Sequence, residues 1–130
     1  MTEKLELYKC NICGNLIQVI LNGNGELVCC GQNMEKLVPQ YQNENEELSE
    51  KHTPKFEQDE KGRFVRLKYH PMIPEHYIQF IEVYPKDKSR LYLKYLNPTD
   101  SAEFDITHFE ENIEALEHCN VHGLWRNNND

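Results

Sequence analysis

Along most of the chain the apolar residues alternate with polar ones or gather in short β-branched and aromatic runs. This is the pattern of strands rather than of long helices. Phe64-Val-Arg-Leu-Lys-Tyr69 alternates, and the run from His76 to Tyr84 (HYIQFIEVY) and the run from Arg90 to Leu96 (RLYLKYL) are rich in β-formers. Turn residues separate them at Lys86-Asp-Lys-Ser89 and Pro98-Thr-Asp100, and a further run covers Ala102 to Thr107. Short strands at this spacing predict a β-sandwich from residue 50 to residue 130. One segment is ambiguous. Phe109 to His118 (FEENIEALEH) holds good helix formers, with Ile113 and Leu116 three apart, and its pattern suits a helix as well as a strand.

Upstream the pattern is shorter and richer in glycine. Leu16 to Leu21 predicts a strand, paired with Glu26 to Val28 across the turn Asn22-Gly23-Asn24-Gly25. Residues 1–37 therefore form a small unit, too small to bury enough apolar surface to fold unaided. A bound metal is the expected staple. Residues 38–49 (VPQYQNENEELS) are polar and acidic, without a regular period, and predict a linker. There is no internal repeat and no low-complexity tract.

Composition narrows the class. The chain has 130 residues, of which 38% are apolar, and a net charge of −8. The start, MTEKLELYKC, lacks the apolar core of a signal peptide, and no run approaches the roughly 18 apolar residues of a membrane span. A cytoplasmic protein without membrane contacts is expected. No basic patch stands out, which argues against a nucleic-acid partner. The acidity still permits a small anionic substrate, because charges beyond about 8 Å are largely screened at physiological salt.

The cysteines carry the first chemical signal. There are five, an odd number with no export signal, so metal binding is favoured over disulfides. Cys10-x-x-Cys13 and the adjacent pair Cys29-Cys30 make a set of four thiolates. Neighbouring residues can both ligate one ion only where the backbone turns sharply, and Gly31 follows directly to allow it. Four soft thiolates select zinc or iron, and the residues alone leave the choice open.

The second signal is a set of histidines. His70-Pro-Met-Ile-Pro-Glu-His76 places two imidazoles six apart with prolines between them, so it reads as a rigid loop running into a strand rather than as a helix. Cys119-Asn-Val-His122 joins a thiol and an imidazole, and Glu50-Lys51-His52 lies ahead of Thr53-Pro54. A cysteine nucleophile with a histidine base would use partners distant in sequence and would leave the other rings unexplained. His108 and His118 read as exposed residues. The remaining ligand candidates are His52, His70, His76, Cys119 and His122. Five exceed the tetrahedron usual for zinc and favour iron, which suits imidazole with thiolate.

Taken together these motifs resemble desulfoferrodoxin, the two-iron class of superoxide reductase, over nearly the whole chain. Cys10, Cys13, Cys29 and Cys30 are similar to that family's desulforedoxin-type iron site. Glu50-Lys51-His52, His70-Pro71-Met72, His76-Tyr77-Ile78 and Cys119-Asn120-x-His122-Gly123 are similar to its catalytic site. The chain departs from typical members at Ile73-Pro74-Glu75, where they carry more charge. The resemblance implies an all-β protein, with a desulforedoxin-like domain joined to an immunoglobulin-like β-sandwich, and it shifts residues 109–118 toward loop and strand. It implies two irons per chain, with His52, His70, His76 and His122 equatorial and Cys119 axial around the second. The implied reaction is the one-electron reduction of superoxide to hydrogen peroxide. Lys51 would draw in the anion, worth roughly 3 kcal/mol for a charge pair at about 6 Å in an effective dielectric near 20, and Glu50 would take the sixth position on ferric iron. A rubredoxin-like electron donor and a homodimer are implied too. Two other readings compete: an electron carrier using the four-cysteine site alone, and a zinc-stapled interaction module.

Overall fold

The chain divides into two compact units, Met1–Val38 and Pro39–Asp130. The structure, a computed structural model, describes residues 1–41 and 45–128, so positions 42–44 of the predicted linker lie outside the described residues.

In the first unit, β1 (Leu7–Lys9) pairs antiparallel with β2 (Leu16–Gln18). A short β5 (Glu35–Lys36) pairs with β1 on its other side. Between them, β3 (Val28–Cys29) and β4 (Gln32–Asn33) form a separate hairpin. The predicted pairing of Leu16–Leu21 with Glu26–Val28 does not form. The turn after Cys10 is closed locally, through Gly14 N to Cys10 O and Cys10 N to Asn15 O, both 2.9 Å. That local closure gives β2 to β1 and leaves Val28 to its own downstream neighbour. The loop of the second hairpin is Cys30-Gly31, with φ of 54° and 76°. Positive φ at both positions suits the right-handed twist of a two-residue hairpin. The buried residues include only Leu5, Leu7, Tyr8, Cys10 and Val19 among apolar ones, a very small core.

The second unit begins its regular structure with α1 (Glu46–His52). This corrects the reading of 46–49 as linker. Asn45 caps the helix by accepting from Leu48 N, Glu46 and Glu47 fill the first turn, and Lys51 and His52 the last. The cap satisfies an otherwise open amide, and Glu46, Glu47 and Lys51 suit the helix dipole. Such end effects stabilise a seven-residue helix without any long apolar period, which is why the pattern alone did not disclose it. Pro54 prevents its continuation.

Seven strands follow: β6 (Lys55–Asp59), β7 (Gly62–Arg66), β8 (Ile78–Pro85), β9 (Tyr92–Tyr95), β10 (Glu103–Asp105), β11 (Ile113–Cys119) and β12 (Gly123–Arg126). They build two antiparallel sheets, ordered β10-β7-β6 and β12-β11-β8-β9. Val65 and Leu67 from the first sheet's side pack with Ile78, Ile81, Val83, Ile113, Ala115 and Cys119 from the second. The expected sandwich is present, and the all-β class holds.

Residues 113–119 are strand, not helix. β11 is bonded to β8 on one side and β12 on the other. Two ladders and a fully buried inner face outweigh a propensity difference of a few tenths of a kcal/mol per residue. The β11–β8 register slips after His118, which pairs with Phe80, so that Cys119 pairs with Ile78 and Gln79 is the extra residue. The bulge reverses the alternation of β8. Ile78 therefore joins Ile81 and Val83 on the core side, opposite Cys119. Bulges re-aim side chains in this way beside functional sites.

Candidate metal centres

The four cysteines of the first unit converge. Their sulfurs all lie within 4.8 Å of one another. Cys13 Sγ is 3.5 Å from Cys29 Sγ, and Cys29 Sγ is 3.9 Å from Cys30 Sγ. Two turns do the positioning: the C-x-x-C turn ending in Gly14 at φ 83°, and the left-handed Cys30-Gly31 pair. Amide donation from Cys13 and Ile12 pulls the Cys10 thiol down to about 6. Crowding by Cys13, then Cys10 and Cys29, pushes Cys30 up to about 12. One sulfur sheds its proton readily and its neighbours then hold theirs. A cation that displaces all the protons resolves that competition, as structural thiolate sites require.

The second cluster draws on three distant segments. His52 comes from the last turn of α1, His70 and His76 from the loop before β8, and Cys119 from the end of β11. Their four donor atoms lie within 4.8 Å of one another. His122, in the β11–β12 turn, adds its ring with a centroid 4.8 Å from His52 and 5.1 Å from His76. The loop is held by paired amide bonds between Ile73 and His76, of 3.1 and 3.0 Å. It is a non-helical connection running into β8, as its prolines predict.

Proton positions make this cluster a cation site. His52 Nδ1 donates to Leu48 O at 2.9 Å, and His70 Nδ1 donates to Pro71 O at 2.6 Å. Carbonyls only accept, so each neutral ring carries its proton on Nδ1 and a lone pair on Nε2. Those two Nε2 atoms face each other at 3.1 Å, and His70 Nε2 is 3.2 Å from Cys119 Sγ. Burial holds both rings down to about 4, so neither supplies a second proton near neutrality. His76 Nε2 and His122 Nδ1 are buried with no hydrogen-bond partner among the described residues. Converging lone pairs and unsatisfied nitrogens fit a metal ion, and ring nitrogens fixed through carbonyls are the usual support for metal-binding histidines.

Cys119 is fully buried, and desolvation pushes its thiol up. The amides of Val121 and His122, each 3.4 Å from Sγ, oppose this and favour the thiolate. His52 and His70 are buried, whereas His76 and His122 are partly exposed. Solvent thus approaches the cluster from the His76–His122 side.

The other candidates are placed as follows. Lys51 is half-exposed on α1, and its ammonium contributes to lowering both His52 and His76. Glu50 is exposed and borders a cavity of about 80 Å³ with Thr53, Lys55 and Lys68; the donor cluster does not include it. His108 is exposed as expected. His118 is not: it is buried, stacks on Phe80 at 5.6 Å and bonds Gln79 at 2.7 Å. Its place on a central strand explains the difference. Two supporting residues escaped the sequence reading. Trp125 stacks on the His52 ring at 4.9 Å, and Asn120 ties the His76 loop to the Cys119 turn. Both stood within or beside the Cys119–His122 motif, the one signal that pointed to them.

Comparison with known proteins agrees with this arrangement. The family model described as desulfoferrodoxin, N-terminal domain, matches residues 2–37, and that described as desulfoferrodoxin matches residues 44–128. The chain belongs to the desulfoferrodoxin family. A desulfoferrodoxin of Syntrophotalea carbinolica is 41% identical over 129 residues, covering 96% of this chain and 97% of its own. A superoxide reductase of Thermococcus kodakarensis is 32% identical over 97 residues, covering 60% of this chain and 84% of its own. The crystal structure of the superoxide reductase from Treponema pallidum shares the fold, with a TM-score of 0.68 at 23% identity over 98% of this chain and 100% of its own. Two donor sets are present: Cys10, Cys13, Cys29 and Cys30 in one unit, and His52, His70, His76 and Cys119 in the other, with His122 beside the second set but outside it.

Proposed function

We propose that this chain is a superoxide reductase, converting superoxide, one electron and two protons to hydrogen peroxide. His52, His70, His76, His122 and Cys119 would hold the catalytic iron, and Cys10, Cys13, Cys29 and Cys30 a second iron. The observation that carries the reading is the convergence of the His52 and His70 Nε2 lone pairs beside Cys119 Sγ, in a cluster covered only partly at His76 and His122. Iron held there would supply the electron. The protein's own part is to keep the buried His52 and His70 rings neutral and aimed, to keep the sulfur dry, and to admit a small anion on the exposed side. Lys51 supplies positive charge there, as its effect on His52 and His76 supports. Glu50, exposed and outside the donor cluster, would serve as a further ligand to ferric iron only if its side chain turned toward that cluster.

The reaction consumes electrons, so a reduced rubredoxin-like partner is the fitting donor, and a homodimer in the cytoplasm the fitting form. Among the described residues no helix is long and apolar enough to cross a membrane.

The test is metal analysis combined with a superoxide-consumption assay under a reductant. Two irons per chain with two sets of visible absorption bands are expected. Cys119→Ser removes the activity and the bands of the histidine-rich site while sparing those of the four-cysteine site. Peroxide formation that survives this substitution overturns the reading. A colourless zinc protein or a single band set overturns it as well.

A further inference from the structure

Lys51 does not stand alone on α1. Its Nζ is 3.0 Å from Glu47 Oε1, one helical turn back. The carboxylate precedes the ammonium by four residues, the better orientation for such pairs. The Lys51 side chain is 39% exposed and that of Glu47 74% exposed, so the acid holds the lysine from the solvent side. His52 lies on the next position of the same helix, anchored by its bond to Leu48 O. The helix therefore sets two distances at once: imidazole to metal cluster, and ammonium to carboxylate. Glu47 itself belongs to neither donor set.

We propose that Glu47 is a positioning residue that restrains Lys51. It draws the ammonium back along α1 and cancels part of its field at the imidazole cluster, so that small anions are attracted less strongly than an unpaired lysine would attract them. The inference rests on the proposed role of Lys51 in drawing in the substrate anion. Electrostatic attraction of a small ion at an exposed mouth governs encounter rate and is screened by salt. The restraint is therefore a low-salt effect, of the size that exposed ion pairs show.

The experiment uses the full-length, iron-loaded protein and the variants Glu47→Gln, Glu47→Asp, Lys51→Ala and the double variant E47Q/K51A. Two quantities are read from about 0.01 M to about 1 M salt: the rate constant with superoxide, and the Kd of azide followed by visible absorption. E47Q is expected to raise the rate constant and tighten azide about two- to fivefold at low salt, with the gain vanishing at high salt. E47D keeps the parent values, because the pair is retained. K51A lowers the rate constant and raises the Kd of azide, and E47Q adds nothing in the K51A background. No gain in E47Q, or the same gain with and without Lys51, overturns the restraint. If K51A leaves rate and azide affinity unchanged, the role given to Lys51 falls, and the restraint with it.

Discussion

Tyr77 and Asn120 exchange two hydrogen bonds. The Tyr77 amide donates to Asn120 Oδ1 at 2.9 Å, and the Asn120 amide donates to Tyr77 O at 3.2 Å. Asn120 Nδ2 also donates to Glu75 O at 3.1 Å. One side chain thus clamps the backbone on both sides of His76, from a position next to Cys119. Asn120→Ala removes the side-chain half of the clamp. It should cost about 1–2 kcal/mol of stability and about 10- to 100-fold in metal affinity at the histidine-rich site, as loss of outer-shell support typically does. Chelator competition followed at that site's absorption bands checks this, with the four-cysteine bands as internal control.

Gly62 opens β7 at φ 141°, and a Cβ built there runs into Thr107 Oγ1. Thr107 Oγ1 also accepts from Arg63 N at 3.1 Å, so it is not free to withdraw. Gly62→Ala should destabilise the second unit by about 2–4 kcal/mol through clash and backbone strain together. Urea unfolding followed by the fluorescence of Trp125, the one tryptophan of the chain, measures it. Gly31→Ala is the milder comparison: φ is 76°, but its Cβ meets nothing within 4 Å, so about 1–2 kcal/mol is expected.

The metal-free protein should show two opposed pH effects. His52 and His70 are held down to about 4 by burial, against 6.5 in an unfolded chain. Between those values the unfolded state binds more protons, so stability falls as pH falls from about 6.5 to about 4. Glu117 is fully buried with neither oxygen bonded among the described residues, and desolvation raises it well above 4.5. Above about 4.5 the folded state keeps a proton that the unfolded state has lost, so this group lowers stability as pH rises. Glu117→Gln removes the second effect. The variant should be more stable than the parent near pH 7, and its stability should climb from pH 4 to 6.5 and then level off. Unfolding midpoints across that range decide it; identical pH profiles for parent and variant would show that Glu117 does not titrate as its burial requires.

The ligands were easier to read from the sequence than the frame that holds them. Metal-ligating residues come in short local motifs, and Cys10-x-x-Cys13, His70 to His76 and Cys119 to His122 each advertise themselves. The strands of the sandwich were legible where one face is apolar, as at Ile78–Pro85. They were not legible at Ile113–Cys119, where Glu117 occupies an inward position and breaks the alternation that marks a half-buried strand. Pairing in the first unit differs from the pattern's expectation because both hairpin turns contain candidate ligands. Cys30 takes a left-handed conformation that a non-glycine residue rarely adopts. Helix α1 escaped notice because caps and charges, not an apolar stripe, define it. Nor did the motifs disclose which ring nitrogen faces inward; that follows from the Leu48 and Pro71 carbonyls, which only the folded chain brings into place.

Cys119 belongs to the same packed cluster as Ile78, Ile113 and Ala115. The sulfur's seat is thus part of the hydrophobic interior rather than an attachment to its surface. A methyl group trimmed from one of those neighbours would shift the thiolate, and the charge-transfer colour of an iron bound there would shift in step. Loaded with iron, the protein would report visibly on how well its own interior is filled.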